Sequence, residues 1–164
     1  MTVPQPHFSI HQIASNDIAL MQSMLATFGE AFGEVDTYSG NQPSEAYLKR
    51  LLESDYFIAL VALQESKVVG GIAAYELVKF EQERSEIYIY DLAVAATHRR
   101  QGIATALIQE LKKIAKIRGA YVIFVQADLD DEPAIALYTK LGVREDVLHF
   151  DIDTGHTTAT DSTS

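Results

Sequence analysis

The chain has 164 residues, enough for one domain, with 13 Lys and Arg against 23 Asp and Glu, a net charge of −10, 48% hydrophobic residues and no cysteine. Disulfides, thiolate metal sites and a cysteine nucleophile are thereby excluded, and non-specific binding to nucleic acid is disfavoured. No apolar stretch nears the roughly 18 residues of a membrane span, and "MTVPQPHFSI" lacks a basic region leading into an apolar core, so a cytoplasmic protein is expected.

Along the chain, "SNDIALMQSMLATFGEAF" offers Ser15, Asn16 and Asp17 as caps before Ile18, Met21, Met24, Leu25 and Phe28 at helical spacing. "SEAYLKRLLES" (Ser44–Ser54) predicts a second helix. "YFIALVAL" and "VVGGIAAYEL" predict adjacent strands joined by the polar turn "QESK", and "SEIYIYDLAV" (Ser85–Val94) is dense in β-branched and aromatic residues, as strands are. Ile103, Leu107, Leu111, Ile114 and Ala115 then form a stripe of helical period, with Lys112, Lys113, Lys116 and Arg118 towards its C-terminal end and Gly119 to stop it. "AYVIFVQAD" (Ala120–Asp128) reads as a strand covered on both faces. "PAIALYTKLG" (Pro133–Gly142) reads as a short helix, and "EDVLHFDID" as a last strand. This order predicts a mixed α/β (α+β) domain over residues 8–153 around one sheet, with 1–7 and 154–164 disordered.

The chemistry concentrates at "HRRQGIAT", His98 to Thr105. A helix N-terminus exposes free N–H groups and about half a positive charge, so it attracts anions. Gly102 lets a ligand approach the backbone, and Arg99 and Arg100 put permanent cations where a helix alone disfavours them. Neither a Walker loop nor a dinucleotide fingerprint is present.

The segment matches Arg/Gln-x-x-Gly-x-Gly/Ala, as Arg99-x-x-Gly102-x-Ala104, between a strand ending "YDLAV" and a long amphipathic helix. In this it resembles the pyrophosphate loop of the Gcn5-related N-acetyltransferases (GNAT), which bind acetyl-CoA. "FGEAFGEVDTYS", "YIYDLAV", "GAYVIFVQAD" and "HFDID" further resemble the gentamicin-type aminoglycoside 3-N-acetyltransferases. The resemblance implies a mostly antiparallel sheet with splayed central strands and flanking helices. It also implies direct transfer of acetyl from acetyl-CoA to the 3-amino group of a polycationic antibiotic, giving resistance.

On that resemblance, acetyl-CoA is expected along Leu92, Ala93 and Val94, where its pantetheine arm pairs like an added strand, and at Arg99, Arg100, Gln101, Gly102, Ile103, Ala104 and Thr105. Asp91 is the expected base or amine-binding anion. Strict alternation puts it in a row with Ile87, Ile89 and Ala93, where burial would raise its pKa. A bulge at that point would turn it outward instead. Tyr138 resembles the tyrosine that protonates the departing thiolate, although a tyrosine on that helix face is more often core. Acids that could meet a polycation are Glu34, Asp36, Glu81, Glu83, Asp128, Asp130, Asp131, Asp151 and Asp153.

The histidines show no paired ligand spacing, so no metal is expected. Neither nucleic acid nor a membrane is an expected partner, and a homodimer stays open. The rival functions are a polyamine or protein-amine N-acetyltransferase and a non-catalytic acyl-CoA-binding module.

Overall fold

A computed structural model describes residues 7–156, which divide into two compact units, one reaching to Gln126 and one starting at Ala127. The first contains β1 (Ser9–Gln12), α1 (Ile18–Phe32), a π-helical turn (Asp36–Gly40), α2 (Glu45–Glu53), β2 (Phe57–Gln64), β3 (Lys67–Val78), β4 (Ser85–Val94), a 3₁₀ turn (Ala96–His98), α3 (Ile103–Arg118) and β5 (Ala120–Val125). The second contains α4 (Glu132–Leu141). No helix among the described residues is long and apolar enough to cross a membrane. The looseness expected of 1–6 and 157–164 lies outside the described residues.

The sheet runs β1-β2-β3-β4-β5, antiparallel throughout except for parallel β4 and β5. Short connections join β2 to β3 and β3 to β4, whereas β1 reaches β2 through α1, the π-helical turn and α2. The β2–β3 turn puts Glu65 and Ser66 at positive φ, the backbone that tight hairpins need. A parallel neighbour needs a long crossover, and α3 supplies it.

Two apolar faces follow from the strand alternation. On one, Phe57, Ala59 and Val61 of β2 pack with Met21, Met24 and Phe28 of α1 and Leu48 of α2. The intervening residues Ile58 and Leu60 are fully buried too, so β2 is covered on both sides. α3 buries Ile103, Leu107, Ile108, Leu111 and Ala115, close to the expected stripe, and ends where Gly119 takes a left-handed φ of 80°. Each such large apolar side chain stabilises the fold by about 1.5–3 kcal/mol.

Three expectations need correction. β1 was not foreseen: it is four residues long and has too short a pattern to register, yet it pairs with β2 from Ser9↔Leu63 to Gln12↔Leu60. β5 is the outermost strand among the described residues, and Tyr121 and Val122 are exposed rather than covered on both faces. "EDVLHFDID" forms no strand. Its alternation suits one, but a strand needs a partner ladder, and among the described residues the unit that holds it contains only α4.

Candidate active site

β4 does not keep its alternation. Ile89 stands opposite Ala74 and Asp91 opposite Ala73, so Tyr90 is an extra residue with no partner on β3. Such a bulge reverses the faces of everything after it. Ile87 and Ile89 stay buried on the α3 side. Asp91 moves to the side of Ala73, Ala93 and α1, not into the row of Ile87 and Ile89 that strict alternation predicts.

There it borders a cavity of about 180 Å³ between α1, α2 and the sheet, lined by Met21, Met24, Phe28, Tyr47, Leu48, Tyr75 and Tyr90 among others. Asp91 is the sole carboxylic acid among these lining residues. The remaining walls are apolar or phenolic. Tyr90, pushed out by the bulge, meets Tyr75 and Tyr88 edge-on, each with 5.8 Å between ring centroids.

The Asp91 carboxylate accepts a hydrogen bond from the Tyr38 hydroxyl at 3.1 Å. Burial pushes its pKa above the usual carboxylate range; the Tyr38 hydrogen bond opposes that shift and the Glu34 charge adds to it. A partly buried carboxylate raised in this way is suited to take a proton from an ammonium group.

Beyond Asp91, β4 pairs on one side only. Its parallel ladder with β5 ends at Ile89↔Val125, while Leu92, Ala93 and Val94 pair with Ile72, Gly71 and Gly70 of β3. One edge of that half-strand is therefore free, among the described residues, for an extended ligand to join.

The chain then runs through the 3₁₀ turn to α3. Ala95 N–H donates to Val69 O at 2.8 Å, tying this loop to β3. Arg100 has φ 63° and Gly102 φ 79°. A left-handed arginine is strained, and strain of this kind collects at functional loops. Gly102 precedes α3 with no side-chain cap, and the first intrahelical bond is Ala106 N–H to Gly102 O at 3.0 Å. Helix geometry leaves the N–H groups of Ile103, Ala104 and Thr105 without intrahelical acceptors. A Cβ built on Gly102 would meet no atom within 4 Å. Backbone amides, open space and the exposed Arg99 and Arg100 suit a diphosphate; Gln101 is exposed beside them.

The other expected residues belong to several elements of the two units. Glu34 lies near enough to raise Asp91, and exposed Asp36 opens the π-helical turn. Glu81 pairs with Lys79 at 2.8 Å in the β3–β4 connection, where Glu83 is exposed. Six positions of β4, roughly 20 Å, separate its first residue Ser85 from Asp91, so those two acids do not join Asp91.

In the second unit, Asp131 caps α4 by accepting from Ala134 N–H at 3.2 Å. Asp128 and Asp130 accept through their carbonyls from the N–H groups of Asp131 and Glu132. Asp151 Oδ1 lies 2.9 Å from His149 Nε2, and Asp153 accepts from Gly155 N–H at 2.8 Å. The Tyr138 phenol is pushed up to about 12, by burial first and by the Asp131 charge second. No group of three or more His, Asp or Glu that could hold a metal ion occurs among the described residues.

The sequence profile of the Acetyltransferase (GNAT) family matches residues 19–143. The chain belongs to this family. GNAT enzymes use acetyl-CoA, and acetyl transfer is the chemistry of this chain. It is similar to the aminoglycoside acetyltransferase HMB0005 from an uncultured soil metagenomic sample, with 69% identity and a TM-score of 0.88 over 89% of this chain and 97% of that one. It is also similar to meta-AAC0020, an aminoglycoside acetyltransferase from an uncultured soil metagenomic sample solved in complex with sisomicin. There the identity is 32% and the TM-score 0.83, over 90% of this chain and 96% of that one. N-alpha-acetyltransferase 30 of Schizosaccharomyces pombe is 32% identical over 108 residues, 60% of this chain and 68% of that protein.

Within this GNAT site, sequence reasoning passed over Tyr38, Tyr75 and Tyr90. The stretch "EVDTYS" has no periodicity to mark Tyr38, and the two strand tyrosines read as ordinary β formers.

Proposed function

We propose that the chain acetylates the 3-amino group of gentamicin-type aminoglycosides by direct attack on acetyl-CoA, and so confers resistance to them. Asp91 takes a proton from the ammonium, and the freed amine nitrogen attacks the thioester carbonyl carbon. The C–S bond breaks, Tyr138 protonates the leaving thiolate, and the second proton lost by the nitrogen restores the phenol. The pyrophosphate rests on the N–H groups of Ile103, Ala104 and Thr105 beside Arg100, and the pantetheine arm lies along Leu92–Val94. Holding both substrates in line supplies much of the rate.

One observation carries this reading: the bulge at Tyr90 delivers a raised carboxylate into a tyrosine-lined cavity, next to the half of β4 whose edge is free among the described residues. A cationic amine gains from both the carboxylate and the π-faces around it. The 69% identity to an aminoglycoside acetyltransferase supports the acceptor class.

The relative from fission yeast favours a protein amine as the second reading. A panel of gentamicin, spermidine and peptides with a free N-terminus or lysine separates them by thiol release from acetyl-CoA. Gentamicin should show the highest kcat/KM. A clear win for spermidine or a peptide overturns the acceptor claim, and silence across all acceptors favours a non-catalytic module.

A further inference from the structure

A second phenol is held against Asp91, and the steps above do not use it. Tyr38 sits in the π-helical turn, and its hydroxyl donates to Asp91 Oδ2 at 3.1 Å. Its ring is fixed by Phe28, edge-on at 6.2 Å, and by Phe32 at 5.7 Å between centroids. The end of α1 approaches so closely that a Cβ on Gly29 would lie 2.9 Å from Tyr38 Cβ. Glu34 N–H donates to Gly29 O at 2.8 Å, and Tyr38 N–H donates to Glu34 O at 3.1 Å, tying the turn to the helix. The phenol is thus placed by packing and backbone bonds, independently of Asp91.

We propose that Tyr38 is a positioning residue for acetyl transfer: it holds Asp91 Oδ2, leaves Oδ1 to face the acceptor amine, and favours the ionised carboxylate that must receive the amine's proton. The proposal rests on the reading of Asp91 as proton acceptor.

The groups around Asp91 show why such a donor is needed. Glu34 and Tyr38 face it from the end of α1 and the turn, Tyr75 from β3, Tyr88 and Tyr90 from β4, and Tyr47 lines the same cavity from α2. No lysine or arginine is in this set. Burial and the Glu34 charge both favour the protonated acid, and the Tyr38 hydrogen bond favours the anion. Burial and the Asp91 charge in turn hold the Tyr38 phenol well above its usual pKa, so it stays a donor throughout any assay range.

The experiment compares wild type with Tyr38→Phe in two measurements: kcat/KM for gentamicin against pH, and the NMR titration of the Asp91 carboxyl carbon without substrates. Phenylalanine keeps the ring between Phe28 and Phe32, and a thermal melt checks the fold. Both the acid limb and the NMR titration should move upward by about one pH unit, as expected for losing one hydrogen bond to a charged group. The acetyl-CoA KM should stay unchanged, and most of the rate should return at high pH. If Tyr38→Phe does not fold, 3-fluorotyrosine in place of Tyr38, a stronger donor of nearly the same shape, should move both readings downward.

An Asp91 titration that ignores the change at position 38 overturns the proposal while leaving Asp91 as base untouched. If the titration moves but Asp91→Asn turns over at the wild-type rate, the reading of Asp91 as base fails, and the role of Tyr38 with it.

Discussion

Asp91 stands directly opposite Ala73, one residue out of step with the alternation that Ile87 and Ile89 begin. That single slip sets a carboxylate in an apolar and phenolic cavity, and burial holds its pKa above the ordinary carboxylate value. A raised group favours folding when protonated. The stability linked to Asp91 is therefore fully present below the unfolded pKa of about 3.9, and it is lost as pH rises through the folded value. Asp91→Asn removes that loss. Thermal melts should show the variant more stable than wild type at pH 7, with the gap closing towards pH 4. A variant less stable at pH 7 would contradict a desolvated anion.

Glu34 is exposed, and its side-chain charge raises the Asp91 pKa. Removing a nearby negative charge favours ionisation, so Glu34→Gln should move the acid limb of kcat/KM downward, opposite to Tyr38→Phe. The shift should be a fraction of a pH unit and should shrink from low salt to about 0.5 M, because exposed charges are screened. An upward or salt-insensitive shift would refute it.

At the start of α3 the backbone decides the outcome. Gly102 has φ 79°, and an added Cβ would meet no protein atom within 4 Å. Gly102→Ala should therefore lower stability by about 1–2 kcal/mol through the left-handed backbone alone. Calorimetry should show acetyl-CoA binding weakened by roughly tenfold or more, because the methyl group and any relaxation of φ both disturb the amides at Ile103–Thr105. Gly102→Val should be worse on both counts.

Tyr138 has its phenol pushed up to about 12 by burial and the Asp131 charge. It stays protonated below that value, so wild-type kcat should show no alkaline loss from it between about pH 8 and pH 10. Tyr138→Phe should lower kcat by roughly a hundredfold with little change in either KM. An unchanged kcat would remove Tyr138 from the mechanism.

Much of the fold could be read from the sequence because its signals are periodic or chemical. The stripe from Ile103 to Ala115, bracketed by Gly102 and Gly119, gives α3 to the residue, since amphipathic period and left-handed glycines act locally. The strands around "IALVAL" and "EIYIYDLAV" were legible for the same reason. That Asp91 interrupts an apolar strand could also be read.

The face it occupies could not, because a bulge is fixed by pairing with β3 and leaves no mark in the composition of β4. Tyr38 was illegible for a similar reason. Its value lies in packing on Phe28 and Phe32 and in a contact 53 positions away. In "EDVLHFDID" the pattern was present without a ladder to complete it.

The most direct test of proton transfer to Asp91 is the turnover of gentamicin by Asp91→Asn, measured from pH 6 to pH 9 alongside its affinity for acetyl-CoA. The side chain keeps its shape and can still accept from Tyr38, so coenzyme affinity should stay within about twofold. Turnover should fall by roughly 10²–10⁴, and the acid limb of the wild type should vanish. Wild-type turnover with an intact acid limb would show that the proton goes elsewhere.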